Sequence, residues 1–339
     1  MTERRRRRVE IALGLIWVID GALQYQPYMF SKEFFAGLLG MANMGLPGLL
    51  SRADYNVSTL LATHPAAWNA VFATLQVAIG AGLLWGRGRV GVVARSLSVL
   101  WGIGVWLIGE GAGALFMGGT SLLTGAPGAA LLYSVVTVSI WPVKPGTARA
   151  RAVQMSGLGG WVLAWTGGAL LELQAVNHAT GVPGAQIRNG AAGEPWVFAA
   201  LDRLVGQALA GSGAVIAAGL GLVAVGVGIG AIWRASRPLA LGAGVIVAAL
   251  LGVVGQNLGG VFTGQGTDPG TAPLLILMAV TLWPARTVPA GTAPPRNVPT
   301  RTVPIPRVAA PAQAQSVPAA VSPGRRSRSC PRPAATVSV

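Results

Sequence analysis

Few residues in this chain could do chemistry, and most of them lie inside long apolar stretches. Asp20 comes twelve residues after Arg8, which is about 18 Å along a helix and near the middle of a hydrocarbon core of about 30 Å. Gln76 comes eleven residues before Arg87, about 16 Å from the same membrane face. The spacing predicts that Asp20 and Gln76 meet at mid-depth and share a hydrogen bond.

An ionisable side chain within a span is costly and is a candidate functional site. One interpretation is that Asp20 and Gln76 only join two helices, a contact worth about 0.6 to 2 kcal/mol. The other is a protonatable relay or a substrate contact. Gln24 lies one turn above Asp20 on the same face, and Glu110 lies toward the outer end of its span. The candidate intramembrane site is Asp20, Gln24, Gln76, Glu110 and Gln256. It predicts a polar pocket that opens outward, with water-exposed helix ends as the alternative.

The sequence contains no recognisable catalytic set. One Cys and two His do not allow a disulfide framework or a multi-His metal centre. No Ser/His/Asp set, HExxH motif, P-loop or pair of catalytic carboxylates is visible. We therefore predict no catalytic residues and no metal ligands, and the residues themselves indicate no cofactor.

Apolar stretches of transmembrane length must position the polar residues. The 339 residues are 52% hydrophobic and 10% charged, whereas a soluble domain carries about 25% charged residues. A transmembrane helix takes about 20 mainly apolar residues. The sequence predicts an all-α polytopic membrane protein with eight spans, near residues 9–29, 66–86, 90–112, 126–142, 156–176, 210–233, 238–260 and 272–285.

The basic residues predict the orientation of these spans. Of 25 Lys and Arg, only Lys32, Arg52, Arg188 and Arg203 fall on the outer side if the N-terminus is inside, which leaves 21 inside. This bias follows the positive-inside rule. It predicts a multi-pass plasma-membrane protein with both termini cytoplasmic. It also explains the net charge of +15 without nucleic acid as a partner.

The chain also predicts an internal duplication. Residues 109–116 match 255–262 at an offset of 146, and residues 21–23 match 168–170 at an offset of 147. Each half has an even number of spans, so the halves are expected to be parallel four-helix repeats. The predicted organisation is a basic N-terminus, a first repeat, a linker, a second repeat and a disordered Pro/Arg-rich cytoplasmic tail, at residues 1–8, 9–142, 143–155, 156–285 and 286–339.

Glycines surround Glu110 and Gln256 in the two halves. Gly109 and Gly113, like Gly255 and Gly259, have the small-xxx-small spacing of close helix contacts. We therefore predict helix packing followed by an ordinary turn. The alternative is an irregular outer segment that dips back into the protein, which is allowed where protein or water satisfies its backbone.

The four-helix unit resembles the DoxX-like family of small bacterial membrane proteins. The stretch DGALQ at residues 20–24 lies where that family has a small-Gly-x-x-Lys pattern, with Gln24 in the place of the Lys. LQVAIG at 75–80 occupies the Ala/Glu-rich second helix, with Gln76 for the usual Glu, and GRGR at 86–89 fits the basic turn. The resemblance implies a redox accessory role linked to quinones or thiols.

Three functions therefore remain open. The first is a non-enzymatic membrane subunit or scaffold, which fits the low charge and the absence of a catalytic set. The second is a permease or channel for a small solute or proton, which fits the duplication and Asp20. The third is the quinone- or thiol-linked redox accessory role. The expected partners are the lipid bilayer and, for a subunit, another protein of a membrane complex.

Overall fold

A computed structural model describes residues 1–284 of the chain, and within them it is all-α, with 13 helices and no strand. The predicted tail therefore lies outside the described residues. The helices are α1 (Glu3–Leu23), α2 (Lys32–Ala42), α3 (Gly48–Thr63), α4 (Pro65–Trp85), α5 (Gly88–Ile108), α6 (Ala129–Ser139), α7 (Ala148–Glu172), α8 (Ala175–His178), α9 (Val182–Gly190), α10 (Trp196–Ala208), α11 (Gly213–Gly230), α12 (Arg237–Val253) and α13 (Thr271–Leu282).

Three of these helices are long and apolar enough to cross a membrane, namely α4, α5 and α11. Helices α6, α12 and α13 are apolar but shorter. The 11 residues of α6 rise only about 17 Å, roughly half of a hydrocarbon core. Helices α1 and α7 are long, but their first turns carry the five arginines Arg4 to Arg8 and the two arginines Arg149 and Arg151. A helix nevertheless overlaps every predicted span.

The eight helices that overlap the predicted spans form two groups. In the first bundle, α1 packs on α4, α4 on α5, α5 on α6, and α6 on α1. In the second bundle, the same ring runs through α7, α11, α12 and α13. The two bundles meet where α6 packs against α13 and α7. Trp161 and Trp165 are fully buried and fill the second bundle.

Glycines bring α1 and α4 into close contact. A Cβ on Gly80 would lie 2.7 Å from the carbonyl oxygen of Gly14 and 2.9 Å from the backbone nitrogen of Val18. A Cβ on Gly21 would lie 2.6 Å from a methyl group of Val77. Backbone is in contact with backbone here, so neither helix can move aside without disturbing the other.

This contact gives a stability prediction. Gly80→Val should destabilise the protein by about 1–3 kcal/mol, because overpacking a close contact forces backbone shifts. Gly167→Val is the matched control, since a Cβ on Gly167 meets no heavy atom within 4 Å. Thermal unfolding in detergent measures both variants. Equal melting temperatures for the two would show that α1 and α4 do not cross at Gly80.

The prediction of helix packing by Gly109/Gly113 and Gly255/Gly259 is wrong. Helix α5 ends at Ile108 and α12 at Val253, so these glycines follow the helices. Gly113 and Gly259 have φ of +66° and +72°, and a Cβ on either would overlap a backbone carbonyl oxygen, of Pro127 or Asp268 respectively. They are required for left-handed backbone at a close approach.

The residues between α5 and α6 instead form an irregular segment that folds back into the protein, which is the alternative interpretation of these glycines. Ser121, Leu122 and Leu123 are buried there, so their backbone must be satisfied by protein. Side chains of the second half do this. Glu172 accepts from the Leu122 backbone N–H at 2.9 Å, and Gln174 accepts from that of Gly119 at 2.9 Å. The second half therefore holds the irregular segment of the first.

Candidate functional site

The first bundle contains a cavity of about 340 Å³, called here the Asp20 cavity. Its wall includes Asp20 of α1 and Gln24, which directly follows α1. Helix α4 contributes Gln76, and α6 contributes Tyr133. Residues of α2 and α3 line another part of the wall, including Phe34, Phe35 and Leu61. Glu110 follows α5 and lines it too. The cavity thus collects most of the polar residues that the sequence indicated.

The predicted hydrogen bond between Asp20 and Gln76 is wrong. Tyr133 donates its hydroxyl hydrogen to Oδ2 of Asp20, because the long phenol reaches Asp20 from α6. Asp20 is only 3% exposed and Gln76 7%. Within the described residues, Oδ1 of Asp20 and Oε1 of Gln76 have no hydrogen-bond partner. Two buried acceptors therefore line the cavity without a donor.

Tyr133 was missed because a tyrosine within an apolar run is typical of a membrane core. A comparison of the two halves carries the missing signal. At the offset of 146, the counterpart of Tyr133 is Ala279, and at 147 the counterpart of Asp20 is Gly167. Asp20 and Tyr133 are therefore both specific to the first half, as hydrogen-bonded partners would be.

Glu110 and Gln256 hold equivalent positions in the two halves. Glu110 accepts a hydrogen bond at Oε1 from the backbone N–H of Ala130 at 3.0 Å, in the first turn of α6. Gln256 accepts at Oε1 from the hydroxyl of Thr271 at 2.9 Å, at the first residue of α13. Each side chain stabilises a helix N-terminus, where acceptors are favourable. Glu110 is half-buried, and its Oε2 is fully buried.

The structure brings Asp20, Gln24, Gln76 and Glu110 to one cavity but not Gln256. Gln24 is buried, and its backbone oxygen accepts from Nδ2 of Asn69 at 2.6 Å. Gln256 lines a second, neighbouring cavity of about 490 Å³, formed by the two Gly-rich irregular segments. The predicted site is thus divided between two adjacent cavities.

Two carboxyl groups lie at the boundary between these cavities. Glu110 and Asp268 line both of them. Asp268 accepts from the backbone N–H of Gly270 at 2.8 Å and from the hydroxyl of Thr267 at 2.9 Å. The sequence did not indicate Asp268, because an acidic residue in a Gly/Thr/Pro-rich loop is typical of a solvated turn.

Burial raises the pKa of Asp268 above its ordinary value, although its hydrogen bonds oppose the shift. The folded state therefore holds this proton more strongly than the unfolded state, and stability should fall as pH rises from the ordinary pKa through the raised one. Asp268→Asn should remove that part of the fall. Melting temperatures measured over a pH series, for wild type and Asp268→Asn, test the difference. Parallel curves would contradict a buried Asp268.

Further polar residues continue from the cavity toward the first turns of α1. The indole Nε1 of Trp17 donates to Oγ of Ser98 at 2.9 Å, and Ser98 shares a hydrogen bond with Thr137 at 2.7 Å. One helical turn away, Arg95 forms a buried ion pair with Glu10. Polar side chains therefore run through the first bundle from Glu10 to Glu110.

The second bundle lacks such a run. The counterparts of Glu10 and Arg95, at offsets of 147 and 146, are Gly157 and Leu241. The counterpart of Gln76, at the offset of 148 set by Trp85 and Trp233, is Ala224. The two halves have corresponding helices, but the first has polar side chains at interior positions where the second has apolar residues or glycine.

Comparison with known proteins assigns no family. No protein-family model, no curated protein and no solved structure matches this chain. Among residues 1–284, no group of three or more His, Cys, Asp and Glu side chains is arranged to hold a metal ion. The structure thus defines a helical protein with three helices able to cross a membrane, which indicates a membrane location.

Proposed function

We propose that the chain is an integral membrane protein with eight spans in two parallel four-helix repeats and with both termini in the cytoplasm. A helix overlaps each predicted span, and both bundles close through the same order of helix contacts. The short α6 and α13 are each preceded by an irregular segment with buried residues. These segments would cross the part of the hydrocarbon core that α6 and α13 are too short to cross. The excess of Lys and Arg in the loops assigned to the cytoplasm supports the orientation.

Reporter fusions test this topology. Fusions after residues 120 and 265 should report the outer side, and fusions after 88, 148, 236 and 300 the cytoplasm. The reason is that each basic loop is expected to stay inside. A reproducible reversal at one of the interior sites would exclude the eight-span arrangement.

Within this topology, we propose that the protein is a permease for a small solute, with Asp20 at the binding site. The observation that carries the proposal is the unpartnered Oδ1 of Asp20 in a cavity of about 340 Å³. A residue that served only to join helices would have its acceptors satisfied. Glu110 and Asp268 lie between this cavity and the neighbouring cavity of about 490 Å³, which the proposed topology places on the outer side. The polar side chains from Trp17 to Glu10 continue from the Asp20 cavity toward the cytoplasmic side.

A single cysteine in the cavity wall can test the proposal. Gly104 lines the cavity, and a Cβ there meets no heavy atom within 4 Å. Gly104→Cys combined with Cys330→Ser leaves one thiol in the chain. Gly219→Cys is the matched control, because Gly219 is also open but lies on α11, outside both cavities.

A membrane-impermeant thiol reagent is applied to right-side-out and to inverted vesicles. A permease exposes its site to each side in turn, so the cysteine at 104 should react from both sides and the cysteine at 219 from neither. Reaction from the outside alone would contradict transport and favour a binding protein. No reaction from either side would show that water does not reach the cavity.

The scaffold interpretation has an observation of its own. Helix α10 exposes Trp196, Val197 and Leu204, which fall along one side of the helix. Such an apolar stripe suits a protein partner in a membrane complex. Trp196→Ser and Leu204→Ser should then release a partner that co-purifies in mild detergent. We retain the redox accessory role as the alternative that the DoxX-like resemblance implies, and a co-purifying quinone would support it.

A further inference from the structure

We infer that the Asp20 cavity binds an organic cation, an ammonium or similarly diffuse positive charge attached to an apolar body. The inference names the solute class of the proposed permease and so rests on that function. Binding can nevertheless be measured without transport, so the two proposals can fail separately. Charge, unpaired acceptors and aromatic walls of the same cavity carry it.

The ionisable carboxyl side chains of the cavity wall have no basic side chain among them. Asp20, Glu110 and Asp268 line it, and no Lys, Arg or His is among the lining residues. Because the three carboxyl groups share one buried cavity, ionising them together is unfavourable without a cation. The nearest basic residue along α5 is Arg95, which is paired with Glu10. Repulsion among buried like charges is relieved by a cation between them.

The unpaired atoms of the wall are mainly acceptors. Oδ1 of Asp20, Oε1 of Gln76 and Oε2 of Glu110 are buried and have no partner among the described residues. A buried acceptor left unpaired costs about 1–3 kcal/mol, so a ligand with positive charge or donor hydrogens gains by entering. The indole Nε1 of Trp101 is the unpaired donor of the same wall.

Aromatic rings form the rest of the wall. The six aromatic residues that line the cavity are Trp17, Phe34, Phe35, Phe72, Trp101 and Tyr133. Trp17 packs on Tyr133 with ring centroids 4.2 Å apart, and Phe72 packs on Trp101 at 5.0 Å. The faces of such rings attract ammonium groups, and aromatic cages bind quaternary ammonium ligands.

These features exclude simpler occupants on physical grounds. A bare metal ion requires several oxygen ligands at about 2.0–2.6 Å, and among residues 1–284 no group of three carboxyl or imidazole side chains is arranged for one. A lipid tail would fill the aromatic part but leave the three acceptors unpaired. An organic cation with an apolar body satisfies both parts of the wall.

The test uses two probes of the same shape in which only the charge differs. Benzyltrimethylammonium is the cation, and neopentylbenzene is its neutral isostere with carbon in place of nitrogen. Binding to the full chain in nanodiscs is measured by quenching of tryptophan fluorescence and by calorimetry. The cation should bind more tightly than the isostere by about tenfold or more. Equal affinities, or no binding of either probe, would overturn the inference.

Variants then locate the site. Asp20→Asn and Glu110→Gln should each weaken cation binding by about tenfold or more and leave the isostere unaffected. Asp202→Asn is the control, because Asp202 is fully buried but lies on α10, outside the cavity. If Asp202→Asn also lost the preference for the cation over the isostere, the cation would not bind in the Asp20 cavity, and the inference would be overturned. If Asp20→Asn fails to fold, the isostere comparison in wild type still decides.

The outcome is distinguishable from that of the permease proposal. Charge-selective binding together with one-sided labelling of the cysteine at 104 would support the cation site and contradict transport. Two-sided labelling without charge preference would support transport and overturn the cation site.

Discussion

Asp20→Asn should keep the protein folded and abolish its function. The amide oxygen of asparagine can still accept the hydrogen bond from Tyr133, so the packing between α1 and α6 is preserved. The buried carboxyl group, whose desolvation is costly, is removed. Thermal stability in detergent should therefore be unchanged or increased, whereas transport or a growth phenotype that depends on the protein should be lost.

Asp20→Ala separates the hydrogen bond from the charge. Alanine leaves the buried hydroxyl of Tyr133 without its acceptor, which should cost about 1–3 kcal/mol. We expect Asp20→Ala to be less stable than Asp20→Asn and equally inactive. An Asp20→Asn variant with full activity in every assay would exclude Asp20 from the site, and Glu110 would be the next residue to test.

The positions of eight of the 13 helices could be predicted from sequence, because long apolar stretches indicate helices of transmembrane length. Helices α2, α3, α8, α9 and α10 were not among the predicted spans. The equivalence of Glu110 and Gln256 followed from the duplication, and each binds the start of the last helix in its half. Distance from a basic loop predicted that Asp20 and Gln76 lie at one level, and both line the Asp20 cavity. Distance along the chain did not predict the directions in which the two side chains point from their helix axes. The glycine contacts between α1 and α4 set those directions, so the partner of Asp20 was misassigned.

The glycines were misassigned for a related reason. Gly109 and Gly113 have the spacing of a helix interface, and the same spacing fits a loop in which Gly113 has positive φ. Only the end of α5 at Ile108 decides between the two. Asp268 was missed because its burial depends on how the segment before α13 folds back over the first bundle, which no local pattern encodes.

The largest expected effect on stability is at the buried ion pair between Arg95 and Glu10. The Arg95 side chain is 9% exposed and that of Glu10 is 2%. Arg95→Leu should destabilise the protein by about 3–5 kcal/mol, because removing one partner leaves a buried charge poorly compensated. Arg6 and Arg7 also approach Glu10, at 3.6 Å and 3.1 Å, but their side chains are 22% and 39% exposed, so they replace Arg95 only in part.

The second bundle shows how the loss can be repaired. Gly157 and Leu241 stand where the first bundle has Glu10 and Arg95, and that bundle packs without an ion pair. Glu10→Ala combined with Arg95→Leu should therefore recover most of the stability lost in Arg95→Leu. A double-mutant cycle of denaturation in detergent gives the coupling energy between the two residues. If Arg95→Leu were as stable as wild type, Glu10 would not depend on Arg95, and the pair would be only a consequence of packing.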